Sequence, residues 1–256
     1  MGKEAVGSHS MNRLCSRVWR VCVDGTMARG CRSGFLSAAD RSEDVVTATN
    51  AHAAAIAHLS TMDETLARII AQHGPCTLVP EPDLFGSVVR AIVGQQISVH
   101  AAAAVLSRVR ALMPDSTLTP EAVLAVPNEH LQAAGLSWRK VSYIKDCAAR
   151  FVDGSIDPVA LASADDDAVI GALLPIKGVG RWTAEMVLIF ALGRPDILST
   201  GDYGLRSAMQ RHWNLSAPAT PQEMETIAAQ WRPYRSVASW YLWRSLSNVP
   251  TSAAET

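Results

Sequence analysis

From about residue 50 onward, apolar residues recur with a helical period in almost every segment, and glycine or proline interrupts that period at short intervals. Alternation of apolar and polar residues, the mark of a half-buried strand, is nearly absent. A chain patterned this way is expected to be all-α with short connections. The frequent stops exclude a simple bundle or a coiled coil, which need long unbroken periods. The expected helices cover Ala51–His73, stopped by Gly74-Pro75; Leu84 toward Met113, capped by Asp83 and closed by Pro114; Thr119–Val126; Asn128–Ala134, ended by Gly135; and Trp138–Phe151, turned by Asp153-Gly154. Further ones cover Asp165–Leu174, Thr183–Leu192, Asp202–Trp213, Pro221–Gln230 and Tyr234–Leu246. Two helix junctions carry glycine and look loosely alike, one at Gly135 and one at Gly178.

Composition narrows the class. The chain has 256 residues, 48% of them apolar, enough for a full core, yet no run approaches the roughly 20 apolar residues of a membrane helix. Lys and Arg number 23 against 24 Asp and Glu, so no global basic excess advertises a nucleic-acid partner; a basic face balanced by acid elsewhere is still compatible with one. The five cysteines, Cys15, Cys22, Cys31, Cys76 and Cys147, show no CxxC pairing and support neither a zinc site nor a disulfide framework. Residues 1–45 are expected to be mostly disordered: Met1–Ser10 reads as an expression remnant, and Met11 to about Asp44 is rich in Arg, Ser and Gly without a sustained period, a targeting segment being the alternative.

The most informative stretch is Leu174-Pro175-Ile176-Lys177-Gly178-Val179-Gly180-Arg181-Trp182-Thr183-Ala184. One helix ends, Gly-Val-Gly makes a tight turn, and a new helix begins. Glycine permits backbone conformations denied to other residues and leaves room for an incoming group. The free N–H groups at the start of the next helix suit a phosphate. Val179 is expected to point inward as the anchor of the turn.

This segment resembles the hairpin of the helix-hairpin-helix (HhH-GPD) DNA glycosylase superfamily, with its apolar flank, Gly-x-Gly and Thr-Ala. Ser199-Thr200-Gly201-Asp202, about 20 residues past Trp182, matches the loop and aspartate that complete the family motif. The resemblance covers roughly residues 50 to 248, with departures at Lys177, where many relatives carry proline, and at Gly201, in a loop usually rich in Pro or Asp. It implies that Asp202 is the catalytic carboxylate, stabilising the cationic sugar that forms as an N-glycosidic bond breaks. Asp202 also begins a helix, and capping is compatible with that role. Bifunctional relatives place a Schiff-base lysine directly before the Thr-Ala, where this chain has Trp182. The resemblance therefore implies water as the nucleophile and no lyase step. The missing C-terminal cysteine cluster separates the chain from the iron–sulfur branches.

Trp182 and the C-terminal Trp231–Ser236 and Trp240–Trp243 segments are similar to the 3-methyladenine DNA glycosylase II (alkylpurine) branch. Cationic alkylated bases stack well on electron-rich rings, so Trp182 and Trp243 are expected in the base pocket and Trp240 in the core. By the same resemblance Gln96, in Gly94-Gln95-Gln96, is the wedge that fills the gap left by a flipped nucleotide. Gly178, Gly180, Arg181 and Thr183 are expected at the DNA backbone, with Arg139 and Lys140 meeting phosphates from the smaller junction. Backbone carbonyls of Leu174, Ile176 and Val179 match a monovalent cation site (Na+ or K+), with no other cofactor expected. The implied architecture has two helical lobes. Residues 46–83 plus 196–250 form one, residues 84–195 carry the hairpin in the other, DNA lies in the cleft between them, and 251–256 form a tail. Expected partners are damaged double-stranded DNA and no membrane, for a monomer on the nucleoid in the cytoplasm. The alternatives are a glycosylase for oxidised or mismatched bases, or a non-catalytic hairpin protein that binds DNA.

Overall fold

The computed structural model describes residues 52–246; the expectations for residues 1–45 and 251–256 lie outside them. Thirteen α-helices and two short 3-10 turns make up the described residues, with no strand among them. In chain order the helices are α1 (Ala53–Met62), α2 (Glu64–His73), α3 (Leu84–Gly94), α4 (Val99–Arg110), α5 (Pro120–Ala125), α6 (Asn128–Ala133), α7 (Trp138–Val152), α8 (Pro158–Ser163), α9 (Asp166–Leu173), α10 (Arg181–Phe190), α11 (Tyr203–His212), α12 (Pro221–Ala228) and α13 (Arg235–Ser245). None is long and apolar enough to cross a membrane.

Two expected helices divide, each at a side-chain cap. The segment expected as Ala51–His73 breaks at Asp63, whose backbone turns extended while its carboxylate accepts the N–H groups of Thr65 and Leu66 at 2.9 and 3.1 Å to start α2. The segment from Leu84 toward Met113 breaks after Gly94, and Ser98 restarts it as α4 by accepting from the Ala101 N–H. Local caps outweigh continuous apolar period at both points. An additional helix, α8, follows Asp157-Pro158, a carboxylate cap with proline at the first helical position.

The described residues fall into two compact units, 80–193 and a second one made of residues up to 79 together with 194 onward. In the first, α3 is buried at every position, and α7 packs on both α3 and α5, while α10 packs on α3 and α9. A helix covered all round is a central strut rather than an amphipathic skin. Its one charged residue, Arg90, is matched by Glu81 at 3.2 Å and Ser87 at 2.7 Å. In the second unit α13 plays the corresponding part, buried from Arg235 to Trp243 and packed on α2 and α11. Arg235 is buried there against Asp196, Nε to Oδ1 at 2.8 Å and Nη2 to Oδ2 at 3.1 Å, with Glu225 as a further partner. Trp231 and Trp240 are fully buried, the first donating its indole N–H to Asp63. Cys76 and Cys147 are free, buried thiols, both pushed up to about 12 by burial.

Candidate functional site

In the 80–193 unit the hairpin forms as the glycines require. Gly178 has φ +80°, and a Cβ added there would collide with the Tyr143 ring, so both conformation and space demand glycine. Ile176 and Val179 are buried anchors, and the Val179 N–H bonds the Ile176 carbonyl at 3.0 Å, closing the turn. The turn is also strapped from behind. Asp146 accepts from the Lys177 backbone N–H at 3.0 Å and pairs with the side chains of Lys177 and Arg150. Burial works against the ionised Asp146, but these donors together hold it below the ordinary carboxylate range.

Beyond the turn, α10 begins at Gly180 with no side-chain cap, the kind of helix start at which an anion binds. The junction at Gly135 differs. Its glycine also has positive φ (+106°), but the Ser137 hydroxyl caps α7 by accepting from the Lys140 N–H. The likeness seen in sequence is one of turn geometry, and only the Gly178 junction leaves its helix start uncapped.

The expected DNA contacts separate accordingly. Gln96 is exposed and adopts φ +62°, a left-handed pose just past the end of α3 where glycine is the usual residue. Arg139 is exposed. Arg181 is exposed but pairs with the buried Glu185 at 3.0 Å. Two of the expected residues are engaged within the fold. Thr183 is buried, so its side chain is not presented at the surface for a phosphate. Lys140 spends its ammonium on the carbonyls of Val93 and Gln95, at 2.7 and 2.6 Å, because the last carbonyls of α3 lack helical partners and attract a cation. Around it Val93, Gln95, Gln96, Val105, Leu136 and Ser137 line a cavity of about 220 Å³.

In the second unit Asp202 caps α11, its Oδ1 accepting the Leu205 N–H at 2.7 Å. The same oxygen accepts the indole N–H of Trp243 at 3.0 Å. Asp202 is 0% exposed and Trp243 2%, so the pair is sealed from bulk water. Trp243, expected as a wall of a base pocket, therefore touches the carboxylate itself; nothing in sequence ties two side chains 41 residues apart. Behind the loop, Ser236 bonds the Arg194 carbonyl at 2.6 Å and the Ile197 N–H at 2.9 Å, while Arg235 grips Asp196. The start of α13 thus fixes the strand of chain that leads to Asp202. Trp182, in the first unit, is half-buried at the start of α10. Chemically, a buried, doubly hydrogen-bonded carboxylate on a rigid helix start is a preorganised acceptor of positive charge. No group of three or more His, Cys, Asp or Glu side chains able to hold a metal occurs among the described residues.

The chain as a whole resembles known proteins. The chain is similar to the alkylbase DNA glycosidase-like protein mag2 of Schizosaccharomyces pombe, with 31% identity over 73% of this chain and 90% of that protein. A solved DNA-3-methyladenine glycosidase of Bacillus halodurans superposes with TM-score 0.67 at 35% identity, covering 75% of this chain and 88% of that one. The 3-methyladenine DNA glycosylase Mag1 of S. pombe, solved with abasic DNA, superposes with TM-score 0.68 at 29% identity over 75% of this chain and 95% of that one. The model of the HhH-GPD superfamily of base excision DNA repair proteins matches residues 89–233, which include Gln96, the hairpin and Asp202. Hairpin, aspartate and family profile thus agree, and the chain belongs to the HhH-GPD superfamily of base excision DNA repair proteins.

Proposed function

We propose that this protein is a monofunctional DNA glycosylase that hydrolyses the N-glycosidic bond of alkylated bases, 3-methyladenine and 7-methylguanine among them, in base excision repair. The observation that carries the reading is Asp202, a solvent-sealed carboxylate aimed by two N–H donors on one oxygen. As the base departs, the sugar gains oxocarbenium character, and a fixed anion in a dry site stabilises it far more than water would. The same carboxylate orients the attacking water. Trp182 holds the position of the lysine that bifunctional relatives use, so no amine is offered there for a Schiff base or strand cleavage. Its indole gives the flipped base an electron-rich face, which suits a cationic purine. The names of the similar proteins support the alkylated-base assignment.

The uncapped start of α10 and the exposed Gln96 supply strand grip and wedge. The carbonyls of Leu174, Ile176 and Val179 would hold a Na+ or K+ that supports the phosphate grip. Their chemistry fits, being neutral oxygen only, and the Ile176 carbonyl keeps a lone pair after accepting Val179 N–H. A DNA substrate favours a place on the nucleoid in the cytoplasm, and one chain carries every residue this reading uses. Mass spectrometry of bases freed from methylated DNA tests the reading. Release of 3-methyladenine and 7-methylguanine by wild type, lost in Asp202→Asn with DNA binding retained, is expected. Binding without release would overturn the enzyme, and release of 8-oxoguanine alone would overturn the substrate.

A further inference from the structure

The break between α3 and α4 is held by more bonds than a helix end requires. Lys140 reaches from α7 to the Val93 and Gln95 carbonyls, pinning the main chain on the near side of Gln96. The Gln95 side chain points the other way and donates its amide N–H to the Gly178 carbonyl at 2.8 Å. That carbonyl belongs to the turn that Tyr143 leaves room for only as glycine and that Asp146 straps from behind. Gln95 is therefore fixed at both ends, main chain to α7 and side chain to the hairpin. Gln96 follows it in a left-handed pose that strains a non-glycine residue and persists only when its surroundings enforce it. Glycine would be cheaper there, so the strain keeps a side chain projecting outward.

We propose that Lys140 and Gln95 are positioning residues that lock Gln96 in its projecting pose and register it against the Gly178 turn, so that gripping the strand and filling the gap form one geometric event. This deepens the glycosylase reading and rests on it. Lys140 then acts through Gln96 and not as a phosphate contact. The salt dependence of DNA binding is accordingly set by other groups.

The test is a double-mutant cycle on the full chain. Single-turnover release of 7-methylguanine from a duplex is measured for Lys140→Met, Gln95→Met, Gln96→Ala and the double variants, together with 2-aminopurine fluorescence beside the lesion. Each single change should slow release about tenfold while duplex affinity stays within about threefold, the pattern of a lost transition-state interaction. Lys140→Met combined with Gln96→Ala should be no slower than Gln96→Ala alone, because a positioning residue has nothing left to position. The 2-aminopurine signal should fall in parallel. Penalties that multiply to about a hundredfold, or singles that release at the wild-type rate, would overturn the proposal. Should Lys140→Met fail to fold, Gln95→Met carries the same cycle through a bond that no core residue shares. Should wild type release no base, the glycosylase reading fails, and the 2-aminopurine arm alone decides the latch.

Discussion

Two helix starts in this molecule solve the same problem in opposite ways. At Gly180 the first turn of α10 receives no side-chain cap, and the space where a Cβ at Gly180 would sit is open. At Asp202 the first turn of α11 is capped by the residue's own carboxylate, which is fully buried and held again by Trp243. A helix start binds an external phosphate only if it stays uncapped. A carboxylate placed for chemistry gains rigidity by serving as the cap. In the proposed reading, binding and reacting groups are made from one local element, and the difference lies in whether a side chain caps it.

The largest effect that separates the two is Asp202→Asn. Asparagine keeps the cap, so melting temperature should stay within a few degrees, whereas base release should fall by about a thousandfold or more with duplex affinity retained. Loss of affinity instead would show that Asp202 binds rather than reacts. Next comes Gly178→Ala, which meets both positive φ and the Tyr143 ring. It should cost about 2 kcal/mol of stability and at least tenfold in DNA affinity in filter-binding or anisotropy assays. Gly135→Ala is its control. There the added Cβ meets the Arg108 guanidinium at 2.8 Å, a movable end, so stability should drop by about 1 kcal/mol while affinity holds. Equal affinity losses at both glycines would erase the distinction between the junctions. Trp243→Phe removes the indole donor on Asp202 Oδ1 and should slow release about tenfold without changing affinity.

The smallest effect is in pH. His212, at the far end of α11, is held below the ordinary histidine value by burial, then by Arg211, His73 and Arg68; His73 is lowered by burial and Arg244. Stability from keeping them neutral is complete above the unfolded value of about 6.5 and is lost as pH falls through their lowered values. Asp146 is lowered too, so the strap behind the hairpin is complete above about 4 and lost only below that. Between those limits, hydrogen exchange should quicken in α11 and α2 while the hairpin amides keep their protection.

Much of this was legible from residues. Gly178-Val179-Gly180 and Asp202 are local signals, and each appears where its turn or cap demands. The divided helices at Asp63 and Ser98 and the α8 start at Asp157-Pro158 also obey local cap rules, which apolar periodicity alone overrides on paper but not in the chain. What stayed hidden was tertiary: the Trp243 bond to Asp202, the Lys140 bonds to the end of α3, and the Gln95 bond to Gly178 span 41 to 83 residues of sequence. Lys140 reads as a phosphate contact through the resemblance of its junction; only packing shows which carbonyls it answers.

The two buried thiols bear on survival in the very conditions that create the proposed substrates. Alkylating agents attack thiolates faster than most protein groups, and burial, which pushes Cys76 and Cys147 up to about 12, keeps both in the protonated thiol form at neutral pH. Both are also shielded by the core. Among the described residues, then, neither thiol is an easy target for the electrophiles whose damage the proposed enzyme would remove.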